Sequence, residues 1–190
     1  MDSTAHAMST RALPDWAIRI RRKYTGGEAS IFLLHGNVYD RYVHGEDFLS
    51  LTEFLANVLL VGNKPDIALM DPSQGLRILK RAKDADEVFA EVDDPYEVSP
   101  RTWKSLENRF FTKDGNALII NYATNFFPAA PGHFLAANDR AAIVTVHRWS
   151  LSQHLADRDN VVFLIGESLS EINPQLVSNP RIAAIDRRIL

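Results

Sequence analysis

Five short apolar runs punctuate the chain: residues 31–34 (Ile-Phe-Leu-Leu), 67–70 (Ile-Ala-Leu-Met), 117–120 (Ala-Leu-Ile-Ile), 161–165 (Val-Val-Phe-Leu-Ile) and 182–185 (Ile-Ala-Ala-Ile). Continuous rather than alternating runs of this length fit strands buried on both faces, as in a parallel sheet. Between them the apolar period lengthens. Phe48, Leu51, Phe54, Leu55, Val58 and Leu59 recur at helical spacing and Gly62-Asn63 closes that helix. Ser99-Pro100 opens a second, with Ser as cap and Pro at the first helical position; Trp103, Leu106, Phe110 and Phe111 form its apolar face and Gly115 stops it. A third is expected over 138–155, and a short one holds Ile172 and Leu176 before Pro180 breaks it. Strands alternating with helices predict an α/β domain with a mainly parallel five-stranded sheet and right-handed crossovers. Residues 37–47 read as a polar loop, and 77–98 as a solvated, acidic helix or loop.

The division expected is a leader and brace helix at 1–27 and an α/β domain at 28–190. The brace begins near Pro14, carries Trp16, Ile18, Ile20 and Tyr24 among four basic residues, and ends at Gly26-Gly27.

Composition narrows the chemistry. There is no cysteine, so disulfides, thiolate metal sites and thiol nucleophiles are excluded. Lys+Arg number 21 and Asp+Glu 24, a net charge of −3, and so mild an acidic balance supplies no field for a nucleic-acid backbone. No run reaches the roughly 20 apolar residues of a membrane span, and the first ten residues lack the basic start and apolar stretch of a signal peptide. The expectation is a cytoplasmic protein with neither nucleic-acid nor membrane partners.

In an open α/β sheet, ligands sit at the carboxyl ends of strands. Here those ends are His35-Gly36-Asn37, Asp71, Asn121-Tyr122 and Gly166-Glu167-Ser168. A phosphate loop after the first strand would need a Gly-rich turn followed by Lys and a hydroxyl residue. Gly36 and Gly45 are present, but the sequence contains no Gly-Lys-Ser/Thr. After the third strand, a nucleotide-hydrolysing protein places one carboxylate for Mg²⁺ and another to polarise water. This chain has Asn121 and Ala123 there. Gly166-Glu167-Ser168-Leu169-Ser170 imitates a nucleophile elbow around Ser168, yet its fifth position is Ser170 and all six His precede Ser168, whereas the α/β-hydrolase order puts His after Ser. His35, Asp40 and His44 share a loop without a recognisable metal-ligand spacing, so no metal is expected.

The tail, VVFLIGESLSEINPQLVSNPRIAAIDRRIL from Val161 to Leu190, resembles the stretch of AAA+ ATPases that runs from the sensor-one strand to the arginine-finger region and the last core strand. Phe127-Pro128, His147-Arg148-Trp149 and the opening Leu33-Leu34-His35-Gly36-Asn37-Val38-Tyr39-Asp40 are similar to the first module of bacterial AAA+ proteins in which a second, intact ATPase module follows. The resemblance covers most of 28–190. It implies a P-loop NTPase-like core with strand order 5-1-4-3-2 and no helical lid before Leu190. Carried onto this sequence, it implies a degenerate nucleotide loop at His35, Gly36, Asn37 and Asp40. Asn121 and Ala123 then stand at the degenerate Walker B positions, Glu167 and Ser168 at sensor one, and Arg181 at the arginine finger. Arg187 and Arg188 join Arg181 in a basic interface patch whose complement is the acidic stretch 84–94. The function implied is a catalytically silent module for assembly or for substrate or partner recognition in an ATP-driven protein-remodelling machine, with ATP and Mg²⁺ held in an adjoining module and a ring-type homo-oligomer as one assembly. Nucleotide binding with weak or no hydrolysis is the alternative; a serine hydrolase using Ser168 is the distant one.

Overall fold

The coordinates are a computed structural model and describe residues 13–44, 46–80 and 98–188. The leader at 1–12 and the acidic stretch 84–94 lie outside the described residues. The elements in chain order are α1 (Asp15–Thr25), β1 (Ile31–His35), β2 (Tyr42–His44), β3 (Asp47–Leu49), α2 (Leu51–Phe54) running on as a π-helical stretch (Leu55–Leu60), β4 (Asp66–Asp71), β5 (Gly75–Lys80), α3 (Pro100–Thr112), β6 (Asn116–Ile120), α4 (Ala123–Phe126), α5 (Ala137–Leu151), α6 (His154–Asp157), β7 (Val161–Ile165), a 3₁₀ turn (Leu169–Glu171), α7 (Pro174–Val177) and β8 (Ile182–Asp186).

Six strands form the main sheet in the order β5-β4-β6-β7-β1-β8. All neighbours are parallel except β4 and β5. The five expected strands therefore stand in the expected order, and β5 is an addition at one edge. Its residues were expected to be helix or loop. The chain instead turns back at Gly75, where φ is +68°, and pairs Asp71 with Gly75 and Met70 with Leu76. Leu76 is buried while Arg77 and Leu79 are exposed, the half-buried alternation of an edge strand.

Alternation across the pleat divides the core. Ile31 and Leu33 face a layer built on Trp103, Phe110, Phe127 and Trp149 from α3 to α5. Phe32 and Leu34 face the opposite layer, made by Trp16 and Ile20 of α1 with Phe54, Leu55 and Leu60 of α2 and its π-helical extension. The brace helix thus shares a core with the sheet it follows into.

Three expectations need correction. The polar loop 37–47 contains β2, which pairs antiparallel with β3. Phe48 belongs to β3, not to the following helix, and points outward at 64% exposure. The helix expected over 138–155 breaks at Ser152 into α5 and α6. Among the described residues, no helix is long and apolar enough to cross a membrane.

Candidate functional site

The carboxyl edge of the sheet gathers the ends of β1, β4, β6, β7 and β8. At the end of β1, Gly36 has φ +86° and donates its amide to the Glu167 carbonyl at 3.1 Å. A Cβ there would stand 2.8 Å from Asp186 Oδ1 and 2.9 Å from Arg188 Cγ. Only glycine fits, because the end of β8 lies over it. Arg188 pairs with Asp186 at 2.7 Å, and its hydrogen bonds hold the Asp186 carboxyl well below the usual range. His35 is buried; burial lowers its imidazole pKa, Asp186 works against that, and Arg188 adds to it. Asn37 and Asp40 are exposed.

The helix that would receive a phosphate after β1 begins only at Leu51, and its amino end is already closed. Ser50 accepts from the Glu53 amide at 3.3 Å, and the Glu53 carboxylate takes the Ser50 amide at 2.7 Å. This capping box puts a negative side chain where a phosphate would need donors. Beside it, a cleft of about 430 Å³ is lined by Glu53, Asp71, Arg77 and Asn121 among others. Two carboxylates against one guanidinium disfavour a polyanion there.

Asn121 donates to the buried Asp71 at 3.3 Å. Asp71 also accepts from the Ser73 hydroxyl at 2.7 Å and the Ser73 amide at 2.9 Å. Burial opposes its charge, and these bonds outweigh burial to keep its pKa low. Ala123, the first residue of α4, is fully buried. Neither Asn121 nor Ala123 is an acid. Glu167 is exposed and accepts from the Tyr39 hydroxyl at 3.0 Å; burial, then this bond, pushes Tyr39 up to about 12. Ser168 caps the 3₁₀ turn, and its hydroxyl meets that of Ser170 at 2.8 Å.

The three arginines do not form the expected patch. Arg181 precedes β8 and Arg187 follows it, and a strand of this length sets them about 20 Å apart. Arg181 lies at the amino edge. Arg187 is 5% exposed, stacked with its guanidinium 4.7 Å from the Tyr42 ring centre and 5.3 Å from that of Trp16. Its Nε and Nη1 have no hydrogen-bond partner, and burial, opposed by Asp40, pulls its pKa down to about 10. Arg188 is exposed, though already paired with Asp186.

What the edge does present is aromatic. Tyr39 (58% exposed) and Tyr122 (41%) face each other with ring centres 6.3 Å apart, and Tyr122 holds a left-handed backbone, φ 51°. On the hairpin, Tyr42 and Leu49 pair inward while Val43 and Phe48 pair outward into solvent. Sequence reading missed Tyr39, Tyr122 and Phe48 as a surface. The available signal was an aromatic just beyond a strand end, and Phe48 fitted the helical period by chance.

The model of the family described as "AAA+ chaperone, N-terminal Rossmann-like domain" matches residues 4–186. The chain belongs to that family. No curated protein matches. Among solved structures, a chain of the E. coli MS115-1 HORMA:CdnC:Trip13 complex is similar at 12% identity and a TM-score of 0.48, over 91% of this chain and 56% of that one. This chain thus spans little more than half the length of that neighbour.

Proposed function

From that membership we propose that the chain is a catalytically silent AAA+-like module with a chaperone-related role. It serves assembly or recognition within an ATP-driven protein-remodelling machine whose nucleotide sits in an adjoining module. The observation that carries this reading is the closed carboxyl edge. Gly36 lies under Asp186 and Arg188, and the amino end of α2 is satisfied by its own Glu53. Hydrolysis of a phosphoanhydride draws its rate from cations and oriented donors around the transferring group, with a carboxylate for Mg²⁺ and a base for water. Asn121 and Ala123 supply neither charge nor base.

Recognition is the role left to the surface. Tyr39, Tyr122 and the outward pair Val43–Phe48 offer rigid apolar area of the kind enriched in protein interfaces. The basic patch once expected at Arg181, Arg187 and Arg188 is not part of this reading, since Arg187 is buried and Arg181 sits at the other edge.

Calorimetry with ATP and with ADP, each with and without Mg²⁺, is expected to give no binding heat, and phosphate release to stay at background. Turnover that disappears in Asp71→Asn or Arg181→Ala would overturn the silent reading. Binding heat without turnover would favour a nucleotide-holding, non-hydrolysing domain using the loop at 35–40. The recognition half is tested by Tyr39→Ser with Phe48→Ser, which should weaken capture of the adjoining ATPase module at least tenfold.

A further inference from the structure

At the amino edge, away from the closed carboxyl edge, α1 and the π-helical stretch after α2 leave a hollow of about 480 Å³ over β7. Its size falls in the range of small-molecule sites. Part of its wall is apolar, from Ile20 of α1, Val58, Leu59 and Leu60 of the π-helical stretch, and Val161 and Phe163 of β7; Thr25 and Asn63 add polar groups. Lys64, Tyr24 and Asp159 converge at its polar end.

The three form a closed arrangement. Lys64 is 3% exposed. Its Nζ lies 2.8 Å from Asp159 Oδ1, donates to Tyr24 Oη at 2.7 Å and reaches the Asp159 carbonyl. The Tyr24 hydroxyl donates to the same Asp159 Oδ1 at 2.6 Å. Two donors, one cationic and one phenolic, therefore aim at a single carboxylate oxygen. They are not equally fixed. Lys64 is buried in the turn before β4, whereas the Asp159 side chain is 63% exposed on a turn where φ is +53°. Arg21 also lines the hollow, so its charged groups are two cations against one carboxylate.

We propose that this hollow binds a small amphipathic carboxylate, an aliphatic or arylalkyl acid whose apolar part lies against Ile20, Val58 and Phe163 while its carboxylate takes the place of Asp159 on Lys64 and Tyr24. A buried ammonium needs an anion, and any carboxylate presented from the hollow meets the donors that Asp159 meets. The exposed Asp159 is the group that yields, swinging into water at little desolvation cost. An alcohol would leave Lys64 on Asp159 and gain only apolar contact. An amine would face Lys64 and Arg21. The proposal concerns a site separate from the carboxyl edge and stands whether or not that edge recognises a partner.

Titration of the full chain with straight-chain acids from butanoate to decanoate, alongside octanol and octylamine, tests it by calorimetry. Affinity should rise by up to about four-fold per methylene and level off once the hollow is filled. Octanoate should bind at least tenfold tighter than octanol, and octylamine should give no heat. Lys64→Met should abolish octanoate binding. Asp159→Asn, a change at an exposed turn, should strengthen it severalfold by weakening the competitor for Lys64. Leu59→Trp should exclude the longer acids while butanoate binding and the melting temperature stay unchanged. Equal affinity for octanoate, octanol and octylamine, or an Asp159→Asn variant that binds octanoate no better than the parent, would overturn the proposal even if Lys64→Met failed to fold.

Discussion

At the carboxyl edge, polar groups answer one another across exposed ground: Asp186 with Arg188, Tyr39 with Glu167, Ser50 with Glu53. At the amino edge, two arrangements bury a cation: Arg109 with Asp66 at 2.7 Å, and Lys64 with Tyr24 and the exposed Asp159. The same pairing chemistry does different work in the two places. Exposed pairs contribute little to stability. Buried pairs hold elements together, because a charge left behind in the core has no water to return to. The two edges differ in these pairs, although Asp71 and Arg187 are buried at the carboxyl edge.

The largest test of this contrast sets the buried pair against the exposed one. Asp66 and Arg109 are 6% and 5% exposed, so Asp66→Ala removes a carboxylate 2.7 Å from a buried guanidinium between β4 and α3. A clear loss of stability is expected in urea unfolding. Asp186→Ala removes the half-buried partner of the exposed Arg188 and should lower the unfolding midpoint much less. If both variants lose comparable stability, the two edges are not distinguished by burial.

Next in size is the loop after β1. Gly36→Val places a branched Cβ at φ +86°, against Asp186 and Arg188. Backbone strain and the displaced pair together should cost about 2–3 kcal/mol. Gly132 has open space around it, and Gly132→Ala is the control expected to change stability by less than about 1 kcal/mol. A tolerated Gly36→Val would mean that the end of β8 does not cover the loop.

Much of this contrast was written in the sequence, and the reasons are physical. Strands buried on both faces leave unbroken apolar runs, so β1, β4, β6, β7 and β8 were legible, and the family resemblance supplied their order. β5 was not, because an edge strand is only half apolar and Arg77 and Lys80 lead into an acidic stretch. The absence of an acid at Asn121 and Ala123 could be read directly. The cover on Gly36 could not: it comes from residues 150 positions away. Lys64, Tyr24 and Asp159 are separated by 40 and 95 residues and look like ordinary turn and helix-end residues until the fold joins them. Arg187 looked like a surface charge because three Arg fall within eight positions; strand geometry separates two of them and burial removes the third from view.

A smaller effect, within the carboxyl edge, depends on pH. The depressed pKa of His35 means that the unfolded chain takes up its proton before the folded one does. Stability from the neutral imidazole is complete above the unfolded value, about 6.5, and is lost as pH falls from there through the folded value. His35→Gln should flatten the melting-temperature profile between about pH 6.5 and pH 5. The depressed Asp71 carboxyl acts lower: its contribution is present above about pH 4 and fades as pH falls through its folded value, so Asp71→Asn should flatten only the acid limb. Identical profiles for the two variants would show that His35 is not held neutral at the end of β1.

The smallest effect on stability is expected where recognition is proposed. Val43 and Phe48 form the outward pair of the hairpin, and the core lies on its other face, where Tyr42 packs 4.9 Å from Phe54 and 5.4 Å from Trp16. A cross-strand pair in solvent contributes at most about 1 kcal/mol. Phe48→Ser should therefore leave the midpoint within about 1 kcal/mol of the parent, whereas Tyr42→Ser, which opens the aromatic packing and uncovers Arg187, should lower it clearly. Binding should follow the reverse order: Phe48→Ser removes apolar area that a partner would cover, so it should reduce capture of the ATPase module while the fold stays intact. A Phe48→Ser chain that binds as the parent does would take the hairpin out of the recognition surface and leave Tyr39 and Tyr122 to carry it alone.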